Sequence, residues 1–199
     1  TKVRAEDMEK ANELGYKIKL VALGNLSEDG KADVRVHPML VSKHSSLAHT
    51  NYVTNTVHLS GFPMGDVAFS GPGAGEFPTA SSVVGDILNI VAELQNTDYI
   101  LPMMRCNHSE DAEMIDISQT YNKYYLSITA PNNIGVIGKI GTICAEKHIS
   151  LSTILQKGVS DDNTADITVV TEVCKEEKIQ EAIKELTECK INSLIRVEV

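Results

Sequence analysis

From Tyr124 to Val199 the spacing of apolar residues switches repeatedly between the period of a strand and that of a helix, and this restricts the fold more than any other feature. Tyr124–Thr129 (YYLSIT) reads as a strand. Ile134–Lys147 then carries Val136, Ile137, Ile140, Ile143 and Cys144 at helical spacing. Ile149–Gln156 is a second strand, Asp161-Asp162-Asn163 a turn, and Asp166–Val173 alternates Ile167, Val169, Thr171 and Val173 with polar neighbours. Lys175–Thr187 sets Ile179, Ala182, Ile183 and Leu186 on one helical face, and Ile191–Val199 closes with a strand. The order is βαββαβ. Its two halves pack as a four-stranded antiparallel sheet under two helices, the ferredoxin-like arrangement.

The preceding residues have a different texture. Arg4–Leu14 spaces Met8, Ala11 and Leu14 about one helical turn apart, with Gly15 as a C-terminal stop. Tyr16–Leu23 is a strand entering a core, Asn25–Gly30 a turn, and Ala32–Val36 a strand that Pro38 is expected to interrupt. Thr54–Leu59 and Asp66–Phe69 are strands joined by a hairpin-type connection. Thr79–Leu94 is a helix with a broad apolar face and Thr79 as its N-cap. The fold class is therefore α+β: a mixed-sheet domain over residues 1–104, a polar linker over 105–122, and a ferredoxin-like domain over 123–199.

Composition narrows the partners. A net charge of −9 without a basic run argues against nucleic acid and anionic membrane, which draw on clustered Lys and Arg. No apolar stretch approaches the roughly 18 residues of a membrane span, and no signal peptide is visible. Cys106, Cys144, Cys174 and Cys189 lack the paired spacing of zinc or redox motifs and read as reduced, packed thiols of a cytoplasmic protein. Asn25-Leu26-Ser27 and Asn107-His108-Ser109 fit the glycosylation pattern, which recurs by chance.

The motif that most invites a ligand is SGPGAGEFPTAS, Ser70–Ser81. Glu76 stands where the dinucleotide fingerprint needs its third glycine, and no acidic residue follows to hold a ribose. Gly73-Ala74-Gly75 still lets backbone approach a ligand at the start of a helix; the plainer reading is a strand-to-helix elbow. His37, His44, His49 and His58 share a region without metal-ligand spacing, so no metal is expected. Ser42 and Lys43 have no identifiable partnered base, and no residue of this chain is assigned a catalytic role.

GPGAGEFPTASSVVGDIL resembles the glycine-rich elbow and last helix of the catalytic domain of homoserine dehydrogenases, and RAEDMEKANELGYKIKLVALG and VRVHPMLVSKHSSLAHTNYVTNTVHLSG are similar to that family's preceding segments. YYLSITAPNNIGVIGKIGTICAEKHISLSTILQKG is similar to an ACT domain, the regulatory module attached to many bacterial members. The resemblance implies the C-terminal part of an oxidoreductase that interconverts L-aspartate 4-semialdehyde and L-homoserine with NAD(P)H, in threonine and methionine biosynthesis. The family's N-terminal dinucleotide-binding domain and homoserine-binding residues have no counterpart here, so Thr1 looks like the start of an incomplete chain, inactive alone. By resemblance Gly75 contacts the nicotinamide cofactor, with Gly73 and Ala74 beside it. The ACT effector turn corresponds to Asn132, Asn133, Ile134, Gly135 and Val136, with L-threonine the suspected effector. Ile134 stands where ACT turns often carry proline, which implies a looser turn. A homodimer or higher homo-oligomer is expected. The alternative is a stand-alone amino-acid-binding ACT protein without catalysis.

Overall fold

The computed structural model describes residues 3–27, 29–95, 111–159 and 162–199. In chain order the elements are α1 (Ala5–Glu13), β1 (Tyr16–Leu26), β2 (Ala32–Ser42), β3 (Thr54–Gly61), β4 (Gly65–Pro72), α2 (Glu76–Gln95), β5 (Tyr121–Pro131), α3 (Val136–Glu146), β6 (Leu151–Val159), β7 (Thr164–Thr171), β8 (Cys174–Lys175), α4 (Glu176–Glu185) and β9 (Lys190–Val197). They fall into two compact units, Thr1–Ala48 with Ala112–Val199, and His49–Asp111. Cys106, Asn107-His108-Ser109, Asp161 and the first part of the expected linker lie outside the described residues.

In the larger unit the strand order β9-β5-β7-β6, all antiparallel, with α3 and α4 on one face, is the ferredoxin-like arrangement. The alternation of β5 explains why both faces of this sheet are covered. Tyr124, Leu126 and Ile128 pack with Ile140 and Ile143 of α3, Ile167 and Val169 of β7 and Ile179 of α4. Tyr125, one residue out of phase, joins Val170, Ile195, Val197, Leu40 and Ala11 on the other face, where α1 lies. Each of these buried Val, Leu and Ile side chains contributes about 1.5–3 kcal/mol relative to exposure.

β1 and β2 extend the sheet beyond β9. They pair antiparallel over their whole length, and β2 then runs parallel to β9 at Met39↔Arg196 and Leu40↔Val197, so the sheet is mixed. Pro38 does not interrupt β2. Lys43 N–H donates to Gly15 O (2.9 Å) and Ser27 N–H to Lys31 O (2.9 Å), which puts the β1 bonds on odd-numbered residues of β2. An even-numbered residue such as Pro38 owes no donor to β1, and pairing with β9 begins only at Met39.

α1 is held on the sheet by buried polar contacts. Asp7 accepts from Arg4 N–H (2.9 Å), the Tyr125 hydroxyl (3.2 Å) and the Ser193 hydroxyl (2.8 Å). Lys10 Nζ donates to Ser127 Oγ (3.1 Å) and Asp166 (2.6 Å). On the opposite face the Tyr124 hydroxyl donates to Glu176 (2.8 Å), which also meets Arg196 and Gln180.

Among its described residues the smaller unit contains the β3–β4 hairpin, in register from Thr54↔Pro72 to Gly61↔Gly65, and α2. No residue of α2 is buried: Val83, Val84, Ile87, Leu88, Ile90, Val91 and Leu94 are 43–76% exposed.

The two tyrosines predict unequal losses. Tyr125→Phe leaves a fully buried carboxylate short of a donor and is expected to cost about 1–3 kcal/mol. Tyr124→Phe should cost less, about 1 kcal/mol, because Glu176 keeps the charged Arg196 as a hydrogen-bond donor, whereas Asp7 keeps only the neutral Ser193 hydroxyl and Arg4 N–H, with the Arg4 guanidinium 3.5 Å away. Urea unfolding of the two variants checks the order, and equal losses would contradict it.

Candidate functional site

The glycine stretch forms the turn from β4 into α2. Gly73 N–H donates to Val53 O (2.7 Å), and a Cβ at Gly73 would fall inside the Asn55 side-chain amide. Gly75 has φ of +126°, which an L side chain rarely adopts, and its carbonyl accepts from Thr79 N–H (3.1 Å). That bond makes Gly75, rather than Thr79, the residue that caps the helix. The helix starts at Glu76 because Pro78 is tolerated in a first turn, where its missing N–H costs no helical bond. The N–H groups of Glu76 and Phe77 are left without an acceptor inside the helix. Glu76 is acidic, and residues 49–95 contain no Lys or Arg. Such a turn suits close approach of an uncharged ligand surface better than phosphate, which calls for basic side chains.

The second turn the sequence singles out joins β5 to α3. Asn132 N–H donates to Asn163 O (3.0 Å), and Val136 N–H reaches Asn133 O (3.3 Å). Gly135, at φ +93°, is the N-cap of α3 and supplies no side chain to its free donors. Ile134 is fully exposed. The turn separates two cavities of about 280 Å³ each. One lies toward Gln156, Ala165 and Ile167 of β6–β7; the other lies toward Ile140, Leu186 and Cys189, with Lys139 and Glu188 paired at 2.7 Å. Of the five residues read from the sequence as an effector turn, Asn132, Asn133, Gly135 and Val136 line the first, and Asn133 to Val136 line the second.

A third polar group was not singled out in the sequence. Asp33, Arg35 and His37 alternate along β2 and share one face. Arg35 pairs with Asp33 (2.6 Å) and reaches Asn122 (3.4 Å). Asn122 donates to the Tyr124 hydroxyl (3.2 Å), which leads to Glu176 and Arg196. His37 is buried, with Nδ1 3.0 Å from Pro38 O and Nε2 without a partner. Burial pushes its imidazole below the ordinary value of 6.5, against the Pro38 contact, and the charges of Arg196 and Arg35 act in the same downward direction. Burial alone would raise the Glu176 carboxyl, but Gln180, Tyr124 and Arg196 together hold it below the usual range. The alternation of charged residues along β2 was the available signal. Among the described residues no three His, Cys, Asp or Glu side chains gather as metal ligands. Cys144 and Cys174 are buried free thiols, and Cys189 is half-buried.

Known proteins match both parts of the chain. Residues 1–88 match the family model described as homoserine dehydrogenase, and residues 124–190 match that of the ACT domain. A homoserine dehydrogenase of Synechocystis sp. is 37% identical, over 98% of this chain and 47% of its own length. One of Neisseria gonorrhoeae is 33% identical, over 100% of this chain and 47% of its own. The crystal structure of a homoserine dehydrogenase from Thiobacillus denitrificans superposes with a TM-score of 0.86 at 29% identity, covering 97% of this chain and 45% of that one. Residues 1–88 thus carry the homoserine dehydrogenase match and residues 124–190 the ACT match, in one chain. The chain spans about half the length of the curated relatives it matches. The Gly73–Gly75 turn lies inside the homoserine dehydrogenase match and the Asn132–Val136 turn inside the ACT match. No helix among the described residues is long and apolar enough to cross a membrane.

The buried imidazole sets a pH dependence. Unfolded, His37 takes up a proton near 6.5; folded, it does so only at lower pH. Its contribution to stability is therefore present above 6.5 and lost as pH falls through the folded value. The melting temperature should drop as pH is lowered from 6.5, and His37→Met should flatten that part of the profile. An unchanged slope in the variant would rule out His37 as its source.

Proposed function

We propose that this chain forms one wall of an NAD(P)-dependent homoserine dehydrogenase site and carries the amino-acid-responsive domain that regulates it. The observation that carries the reading is the Gly73-Ala74-Gly75 turn, where positive φ and the closeness of Asn55 exclude side chains and leave backbone to face a ligand. These residues fit the uncharged nicotinamide part of the cofactor, and the absence of Lys and Arg from residues 49–95 leaves its phosphates to groups elsewhere. When bound, NAD(P)H supplies the hydride that reduces the carbonyl of aspartate 4-semialdehyde to the alcohol of homoserine. Gly75 keeps the floor flat and Asn55 braces Gly73. α2 offers an apolar surface that a partner domain or second copy can cover, which supports self-association.

In the ACT domain, the uncapped start of α3 and Asn133 offer N–H donors to an amino-acid carboxylate, with L-threonine as the effector. A stand-alone amino-acid sensor is the second reading. The complete core of the larger unit favours it, whereas the uncovered apolar face of α2 speaks for a larger assembly.

Placed after the N-terminal half of the Synechocystis relative, this chain should oxidise L-homoserine with NAD(P), and Gly75→Val should lower kcat/KM by about a hundredfold. The chain alone should show no turnover. A folded chimaera that binds NAD(P) yet is inactive, or one indifferent to Gly75→Val, would sink the dehydrogenase reading. Calorimetric titration with L-threonine should give saturable heat that Asn133→Ala abolishes. Heat that survives the substitution would move the site elsewhere.

A further inference from the structure

Lys157 and Asp166 face each other across the β6–β7 pair. Their neighbours Gln156, Ala165 and Ile167 line the cavity beside the Asn132–Val136 turn. Because strand residues alternate between faces, Lys157 and Asp166 project from the opposite side of the sheet. There they meet α1: Asp166 pairs with Lys10 (2.6 Å) and Lys157 with Glu13. Lys10 and Glu13 are three apart and so share a helix face. The helix presents plus then minus, and the hairpin presents minus and plus to receive them. The Lys10 side chain is only 10% exposed, so that pair carries more than the half-exposed Lys157–Glu13 pair. The two partners come from different parts of the chain, α1 from the homoserine dehydrogenase match and the hairpin from the ACT match.

We propose that this double ion pair couples the cavity to α1, so that a ligand displacing the β6–β7 hairpin on one face loosens or tightens the helix on the other. The bistable element is the clamp itself, made or released, and both sites bias it. Regulation through the ACT domain rests on the effector reading above, but the linkage itself can be tested without a ligand.

The test is amide hydrogen exchange on the whole 199-residue chain, with Val169–Thr171 as the gauge of global opening. In Lys10→Met, exchange should rise in α1 and, by about fivefold beyond the gauge, at Asn133–Ile137 across the sheet, the low end of coupling between sites. The exchanged pair Lys10→Glu with Asp166→Lys should restore both. If Lys10→Met does not fold, Glu13→Gln cuts the more exposed pair and is read the same way. Faster exchange confined to α1, with Asn133–Ile137 unchanged, would overturn the proposal. With L-threonine added, protection that spreads from the turn to α1 supports it, and protection that stops at the turn overturns it. Absence of any protection by L-threonine, with the ligand-free link intact, upholds the coupling and fails only the effector reading.

Discussion

Tyr124 and Tyr125 are neighbours on β5, both fully buried and directed to opposite faces of the sheet, and each hydroxyl ends on a carboxylate of a different helix. Tyr124 reaches Glu176 at the start of α4, and Tyr125 reaches Asp7 in the first turn of α1. A shift of β5 by one residue would bring either Lys123 into the Tyr124 site or Leu126 into the Tyr125 site, leaving one buried carboxylate without its tyrosine donor. β5 is also bonded on one side to β7 and on the other to β9, which in turn carries β2. Register, both helical layers and the attachment of the N-terminal arm thus depend on one dipeptide.

The same logic accounts for the polar character of the joints. Where β2 meets the ferredoxin-like sheet, one face is joined through Arg35, Asn122, Arg196 and Glu176, while on the other Leu40 packs with Ile195 and Val197. Buried ion pairs contribute little net stability, yet breaking one leaves an uncompensated charge. They therefore select one alignment of two segments that hydrophobic contact alone would let slide. His37 adds an imidazole near two guanidinium groups, and burial first, then their positive charge, disfavours its protonation.

The ferredoxin-like half was legible because its strands and helices obey their periods: Ile167 and Val169 alternate inward, and Ile140, Ile143 and Cys144 fall on one helical face. Gly15 and Gly135, both at positive φ, marked turns where they were expected. Pro38 misled because tolerance of proline depends on which neighbour its N–H would face, a property of the pairing and not of the residue. The docking of α1 was hidden because Asp7 and Lys10 read as the solvent face of a short helix, whereas they enter a polar pocket built by Tyr125, Ser127 and Ser193, more than a hundred residues away. The position of the glycine turn was readable from composition. Its proposed role came from resemblance, since nothing in Gly73-Ala74-Gly75 names a ligand.

The two candidate sites share a plan, a strand running through glycine into the start of a helix, but they differ in what the glycines permit. At Gly73 and Gly75 the space is already taken, by the Asn55 amide on one side and Pro78 at 3.3 Å on the other. Such a turn cannot adapt and is suited to a fixed wall. At Gly135 no atom lies within 4 Å of where a Cβ would stand, cavities open on both sides, and Ile134 is bare to solvent. A rigid turn positions a reactant within the narrow tolerance that chemistry demands. An open one can close on a ligand and transmit the change, because only a site with more than one arrangement can shift between them. The proposed roles of the two turns, catalytic support and regulation, thus call for opposite packing around the same residue type, and the packing around Gly73–Gly75 and around Gly135 differs in that sense.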